Sequence, residues 1–346
     1  MNGTVRIAIT RDLFDEEKNL IVPGAGLSLI EELAGVEYEM IAEFLPAISP
    51  EQVGHCDMVI SGAAPWKASS VNQDEPLIAV LAMGVGYDHI DVQALTGAGV
   101  ILCSAPDAVR RPMAIAIVTH MLALATKLLN KDKLTREGRW NDRTNYKGEG
   151  LTGKTLGVIG VGNIGQELLL LAKTFDMRLL ACDPYASNQS VVHLGAELVE
   201  MNQLLSEADF VSVCVPLNGE TRHLIDEEKL QRMKSTAYLI NTSRGSVVDE
   251  LALVEALQKG TIQGAGLDVF EQEPVDAENA LLKMENVVVS PHSLCHTDEY
   301  YMTAWSSKLR QVKEIMTGKI PEALVNQEAI SKANFQRKFA RIRRTD

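Results

Sequence analysis

Leu156-Gly157-Val158-Ile159-Gly160-Val161-Gly162-Asn163-Ile164-Gly165 is the stretch that decides the fold of this chain. A short apolar run ends in a G-x-G-x-x-G spacing, and a helical pattern begins inside that spacing. Alone the spacing is weak in a chain with 25 glycines, because a tight turn without any ligand could use it equally well. Its context adds weight: a strand enters, a helix leaves, and an acid, Asp183, follows eighteen residues after Gly165. Glycines at these positions permit the tight turn and the close approach of a pyrophosphate, which rests on the helix N-terminus. Gly160, Gly162, Asn163, Ile164 and Gly165 are therefore candidate phosphate-cradle residues. Asp183 is placed to accept hydrogen bonds from adenosine ribose hydroxyls and to repel a 2′-phosphate, which predicts NAD in preference to NADP.

Working outward, residues 156–159 are the first of six short apolar runs, followed by 179–182, 211–214, 237–240, 264–267 and 287–290. Continuous apolar runs of this length read as strands buried on both faces. Helical stretches separate them; Asp249-Glu250 opens one that Gly260 closes. The pattern predicts an α/β, doubly wound parallel sheet, in which ligands bind beyond the carboxyl ends of the strands. The residues at those ends are Gly160-Val161-Gly162, Asp183, Val215-Pro216, Asn241-Thr242-Ser243-Arg244, Asp268 and Pro291-His292. Upstream, strand-like runs at 6–9, 58–61, 78–83 and 100–103 precede a long helical pattern over 113–130 and a polar stretch at 138–153.

The length of 346 residues fits two domains. With 46% apolar and 23% charged residues the chain is globular in composition, not disordered. Its net charge is −13. Residues 331–346 hold six Lys/Arg against one acid, so the preceding 330 carry 27 bases and 45 acids, a net −18. An acidic body of that size disfavours nucleic-acid partners. The apolar run 113–125 is interrupted by Thr119 and His120, which reads as too short and too polar to span a membrane. The first residues lack the apolar core of a signal peptide. Cys56, Cys103, Cys182, Cys214 and Cys295 are widely spaced, which fits reduced thiols in a cytoplasmic protein with no metal site.

Four side chains at the predicted ligand edge carry candidate chemistry. Arg244 offers a planar guanidinium suited to bidentate capture of a carboxylate. Glu273 and Asp268 flank the last strand connection, and His292 follows the last strand. A carboxylate that orients an imidazole makes an acid–base pair able to give a proton to a carbonyl oxygen. Position alone leaves His292 open to a bland reading as a capped strand end. His55, His89, His120, His193 and His223 read as surface, turn or helix residues, and His296 stays undecided.

With these residues in view, the chain resembles the D-isomer-specific 2-hydroxyacid dehydrogenases, over residues 6 to 326. The resemblance rests on Gly84-Val85-Gly86-Tyr87-Asp88, on residues 157–165, 240–245 and 264–274, on Pro291-His292, and on 321–326. It implies that His292 is the general acid/base, Glu273 its partner, and Arg244 the binder of the substrate carboxylate and carbonyl. It further implies that the N–H groups of Val85 and Gly86 complete the anion site, that Asp268 binds the nicotinamide carboxamide, and that Val215 and Pro216 pack on adenine, with Thr242 also lining the cofactor site. The implied fold is a Rossmann NAD-binding domain, residues 113–297, inserted into a split flavodoxin-like substrate domain of 1–112 and 298–330, with a cleft between them. A small anionic 2-oxo or 2-hydroxy acid is the implied substrate and a homodimer the implied assembly. The basic segment 331–346 lies beyond the resemblance and is expected to be a mobile or subunit-docking extension.

The sequence departs from the family pattern at three places. Ser293-Leu294-Cys295-His296-Thr297 stands where small residues are usual. Ile115 replaces an acid, and Ala63-Ala64-Pro65 occupies the place where phosphate-handling members tend to carry arginine. The last argues mildly against a phosphorylated substrate unless Arg110 or Arg111 compensates; the plainer reading of that pair is two solvated arginines at a helix start. An NAD-sensing corepressor on the same fold is one alternative function. A formate dehydrogenase is another, although Pro291 stands where such enzymes typically place glutamine.

Overall fold

The computed structural model describes residues 4–21, 30–31 and 33–342. The chain divides into two compact units, Met1–Val109 with Thr297–Asp346, and Arg110–His296. Arg343, Arg344 and Asp346 of the basic segment lie outside the described residues.

In the second unit seven parallel strands form one sheet: β6 (Thr155–Ile159), β7 (Arg178–Cys182), β8 (Glu197–Leu198), β9 (Phe210–Val213), β10 (Tyr238–Asn241), β11 (Gly264–Leu267) and β12 (Val287–Val289). Their order is β12-β11-β10-β9-β6-β7-β8, so the direction of winding reverses between β6 and β9. That reversal opens a crevice at the carboxyl ends of those two strands, where a doubly wound sheet takes its ligand. β6, β9, β10 and β11 are buried along their whole length, as their uninterrupted apolar runs predict. Leu204, Val211, Leu239, Leu253 and Ile225 belong to the core on this sheet. The helix Glu250–Lys259 starts and stops where the cap signals place it. Asp249 accepts the N–H of Ala252, and Gly260 takes a left-handed φ of 68°. β8 was not read from the sequence, since two residues carry no periodicity.

In the first unit the described strands are β1 (Val5–Ile9), β2 (Val36–Met40), β3 (Met58–Ser61), β4 (Ala79–Ala82) and β5 (Ile101–Cys103), in the order β2-β1-β3-β4-β5 and all parallel. This is the flavodoxin-like winding. β2, absent from the sequence reading, is Val36-Glu37-Tyr38-Glu39-Met40, an edge strand whose two acids are exposed. Alternation of acid and apolar residues hides a strand from a search for apolar runs. The C-terminal return is stitched onto β5 by buried Asn326. Its Oδ1 accepts the N–H of Leu102 at 2.7 Å, and its Nδ2 donates to the carbonyl of Val100 at 2.9 Å.

Three sequence expectations need correction. The helix expected over 113–130 begins at Pro106 and ends at Thr126; Lys127 then turns left-handed, with φ 55°, before a separate helix Leu128–Arg136. Pro106 suits a first turn, where its missing N–H costs nothing, and Pro112 lies inside the helix, where it forgoes the bond to the carbonyl four residues back and crowds it. At 21 residues Pro106–Thr126 is long and apolar enough to cross a membrane, contrary to the shorter run read from the sequence; 67% of that apolar window is buried inside the protein. Finally, over its described length the basic segment is a packed helix and not a free extension. Ala333–Ile342 is a helix that buries Phe335, Lys338 and Ile342 on the first unit. Lys338 Nζ donates to the carbonyls of Leu77 and Ala98 at 3.1 and 2.9 Å, and Arg341 pairs with Asp57.

Candidate active site

The carboxyl edge of the second sheet gathers the reactive side chains. After β6 the chain turns through Gly160 at φ 94°, and a Cβ there would lie 2.6 Å from the carbonyl oxygen of Cys214. A Cβ on Gly165 would lie 2.1 Å from the carbonyl oxygen of Gly160, so the helix Asn163–Ala172 packs directly against the turn. Only glycine fits either place. A Cβ on Gly162, by contrast, would meet nothing within 4 Å. The exposed N-terminus of that helix, at Gly162 and Asn163, presents its unsatisfied N–H groups there. This cradle fits a pyrophosphate.

Asp183, at the end of β7, accepts the N–H of Val161 at 2.7 Å and that of Tyr185 at 2.8 Å. Its carboxylate is thereby fixed beside the glycine turn. Val215 and Pro216 follow β9 as a half-buried and an exposed residue, and Thr242 is buried just past β10.

Arg244 is presented by a hydrogen-bonded turn. Buried Asn241 donates its Nδ2 to the Arg244 carbonyl at 2.8 Å, while its Oδ1 accepts from the Ser243 N–H and hydroxyl at 3.1 and 2.8 Å. Sequence reasoning placed Asn241 at the edge without a role. The signal was there, since a polar amide closing an apolar strand needs partners when buried.

His292 and Glu273 are in contact, with His292 Nδ1 2.7 Å from Glu273 Oε2. Both side chains remain more than a third exposed, at 39% and 37%. The other oxygen of Glu273 accepts the N–H of Phe270 at 3.0 Å. Partial burial pushes the Glu273 carboxyl up. The hydrogen bonds from His292 and Phe270, with the charges of His292 and Arg244, outweigh that and hold it below the usual carboxylate range. Arg244, Glu273 and His292 thus share one electrostatic neighbourhood. His292 also sits at a left-handed φ of 51°. For a residue other than glycine this costs about 1–2 kcal/mol, so the surroundings must impose it.

Asp268 is fully buried. Its Oδ1 accepts from the Ser290 hydroxyl at 2.6 Å and from the N–H groups of Ser293 and Leu294 at 3.1 and 3.2 Å. These bonds tie it to the turn that carries His292. His296, at the end of that turn, is exposed.

The remaining candidates separate from this group. Arg110 and Arg111 are exposed near the start of a helix, as the plainer reading has it, but they share a carboxylate partner. They lie inside the helix Pro106–Thr126, and Arg110 Nε and Arg111 Nη1 meet the two oxygens of Glu167 at 2.9 and 2.6 Å. Glu167 lies on the helix of the glycine turn, so both arginines clamp that helix. Val85 and Gly86 belong to the first unit, in the half-buried bend after β4 where the Ala105 N–H donates to the Gly84 carbonyl at 3.0 Å. In that unit Glu39, His55 and Cys56 also converge. The Cys56 thiol donates to Glu39 at 3.3 Å, and burial, with that hydrogen bond, pushes it up to about 12. Glu39 thus accepts from both His55 and Cys56.

Comparison with known proteins places the chain in a family. The family described as "D-isomer specific 2-hydroxyacid dehydrogenase, NAD binding domain" matches residues 118–293. A glyoxylate reductase of Korarchaeum cryptofilum is 37% identical over 332 residues, which cover 94% of this chain and 97% of that protein. A D-3-phosphoglycerate dehydrogenase of Methanocaldococcus jannaschii is 36% identical over 326 residues, 93% of this chain but 59% of that protein. Among solved structures, a D-lactate dehydrogenase of Aquifex aeolicus, complexed with NAD and lactic acid, superposes with a TM-score of 0.80 at 25% identity and covers 92% of this chain and 99% of its own. This chain belongs to the D-isomer specific 2-hydroxyacid dehydrogenase family and is an NAD-binding 2-hydroxyacid dehydrogenase.

Proposed function

We propose that this enzyme reduces a small, unphosphorylated 2-oxo acid of the glyoxylate class at C2, with NADH preferred over NADPH. The observation that carries this reading is the 2.7 Å contact between His292 Nδ1 and Glu273 Oε2 at the sheet edge that also holds Arg244. With Nδ1 engaged by Glu273, Nε2 is the ring nitrogen left to exchange a proton with the oxygen on C2. Arg244 takes the substrate carboxylate in a two-pronged ion pair. Residues 160–165 hold the cofactor pyrophosphate, Asp183 its ribose, Val215 and Pro216 its adenine, and Thr242 and Asp268 border the nicotinamide end. When bound, the nicotinamide supplies the hydride, and His292 supplies the proton that completes the 2-hydroxy acid. Val85 and Gly86 are proposed as further carboxylate donors through their N–H groups.

The glyoxylate class is favoured by the names of similar proteins and by the lack of an arginine in Ala63-Ala64-Pro65. The engagement of Arg110 and Arg111 by Glu167 also speaks against a phosphate subsite built from them. A homodimer is proposed, supported by the exposed apolar side chains of Leu128, Leu129 and Trp140. Five free cysteines support a cytoplasmic setting.

The test is NADH oxidation against glyoxylate, hydroxypyruvate, 3-phosphohydroxypyruvate and pyruvate, repeated with NADPH. Turnover highest on an unphosphorylated acid and at least about tenfold more efficient with NADH is the expected result. Cofactor binding with no turnover on any of the four overturns the activity and favours the corepressor reading. Equal efficiency with NADPH overturns the role of Asp183.

A further inference from the structure

His120 was read from the sequence as an ordinary helix residue, yet it lies at the bottom of the chemistry. It is 2% exposed in the helix Pro106–Thr126 and packs so closely on β11 that a Cβ on Gly266 would fall 2.8 Å from its own Cβ. Its Nε2 is 3.3 Å from the Ser290 hydroxyl, and its Nδ1 is buried with no hydrogen-bond partner. Ser290 in turn reaches Asp268 Oδ1 at 2.6 Å, and that oxygen accepts the N–H groups of Ser293 and Leu294.

The direction of this chain follows from donor counting. An ionised carboxylate can only accept, so the single hydroxyl proton of Ser290 goes to Asp268. The Ser290 oxygen must then accept from His120, which therefore carries its proton on Nε2. Burial pushes the His120 ring downward, against the opposing pull of Asp268, in keeping with a neutral ring that has one donor. Every link points toward Asp268, whose anchored amides lie one and two residues past His292 and its left-handed turn.

We propose that His120 and Ser290 are positioning residues: a buried relay, His120 to Ser290 to Asp268, holds the turn that aims His292. The proposal rests on the reading of His292 as the acid/base group. Neither His120 nor Ser290 touches substrate; both act through the turn. Losing a hydrogen bond to a charged acceptor outweighs losing one to a neutral acceptor, so Ser290 matters more than His120.

The experiment compares wild type with Ser290→Ala, Ser290→Thr and His120→Leu in two readouts. Hydrogen exchange followed by mass spectrometry reports the 291–296 segment without any need for turnover, and steady-state kinetics with glyoxylate and NADH report its consequence. Ser290→Ala should speed exchange in 291–296 while β9 and β10 stay protected. It should lower kcat by about 10–100-fold with KM for NADH changed less than about twofold, and Ser290→Thr should restore both. His120→Leu should act in the same direction with a fall of about 3–10-fold, and it decides the matter where Ser290→Ala does not fold. Unchanged exchange in the segment, loss of protection throughout the unit in His120→Leu as well as in Ser290→Ala, faster exchange with no fall in kcat, or no rescue by threonine each overturns the relay. If wild type turns over no 2-oxo acid, the activity reading fails, while the exchange readout still decides whether the relay holds the turn.

Discussion

Among the buried charges, the two lysines of the first unit and Asp268 of the second make the clearest contrast. In the first, Lys308 and Lys338 are buried cations that donate to backbone carbonyls: Lys308 to Ser104 at 2.9 Å, and Lys338 to Leu77 and Ala98. In the second, buried Asp268 is an anion that collects backbone N–H groups, those of Ser293 and Leu294. Each charge satisfies main-chain groups near the ends of strands, which is the condition for tolerating it inside. The difference lies in what is held. The lysines attach the C-terminal helices Asp298–Met316 and Ala333–Ile342 to their sheet, whereas the aspartate anchors the turn that carries His292, the proposed acid/base group. One device serves cohesion in one unit and orientation in the other.

The strongest way to break this contrast is at the reacting end. His292→Ala should lower turnover of glyoxylate by about two to four orders of magnitude, the range for a lost acid–base group, while leaving the denaturant midpoint nearly unchanged. Near-normal kcat would remove His292 from the chemistry. On the cohesive side the order reverses. Phe335 is 1% exposed and stacks on Phe339 with ring centroids 5.2 Å apart. Phe335→Ala should cost about 3 kcal/mol of stability by urea unfolding with kcat of the folded enzyme unaltered. An unchanged midpoint would show that the helix Ala333–Ile342 contributes no cohesion.

Smaller effects sharpen the comparison. Lys308→Met should change stability at pH 7 by less than about 1 kcal/mol, or raise it, since exchanging a buried charge for an apolar chain of similar length is often neutral or better. The Ser104 carbonyl would still accept Gln311 Nε2 at 2.9 Å. A loss above about 3 kcal/mol would show that the cation itself is required.

The pH dependence is the weakest and most diagnostic effect. Burial pushes Lys308 down to about 7 and Lys338 down to about 8. Between those values and the ordinary lysine range the unfolded chain binds more protons, so stability should rise as pH increases from about 7 to 8.5, where unfolded-state thiols begin to titrate. Lys308→Met with Lys338→Met should flatten that rise. Glu273 carries the opposite sign: its lowered carboxyl contributes stability above the usual carboxylate range and loses it as pH falls through its folded value. Glu273→Gln should weaken that acid limb. Urea midpoints from pH 4 to 8.5 check both, and a flat wild-type profile would contradict the buried-charge account.

Much of the fold was legible because parallel strands buried on both faces must be apolar throughout, and turns of this tightness must be glycine. Six strands of the second sheet, the cap at Asp249 and the turn at Gly160 followed directly. β2 escaped because Glu37 and Glu39 alternate with apolar residues on an edge, and the basic segment misled because charge was visible while Phe335, Lys338 and Ile342 were not visibly one face of a packed helix. At the candidate site, chain order put Arg244 and His292 at one sheet edge, the family likeness supplied the roles proposed for them and for Glu273, and the structure brings His292 against Glu273. His120 was not legible, since its partner Ser290 lies 170 residues away.

By itself, then, the sequence determined the doubly wound second sheet and which residue types line its ligand edge, because periodicity and glycine placement are local properties of a chain. Tertiary structure alone decided that His292 Nδ1 meets Glu273, that Glu167 claims Arg110 and Arg111, and that His120 reaches Asp268 through Ser290. Those are encounters between distant segments at hydrogen-bond range, where a displacement of an ångström makes or removes the bond, and no local pattern encodes them.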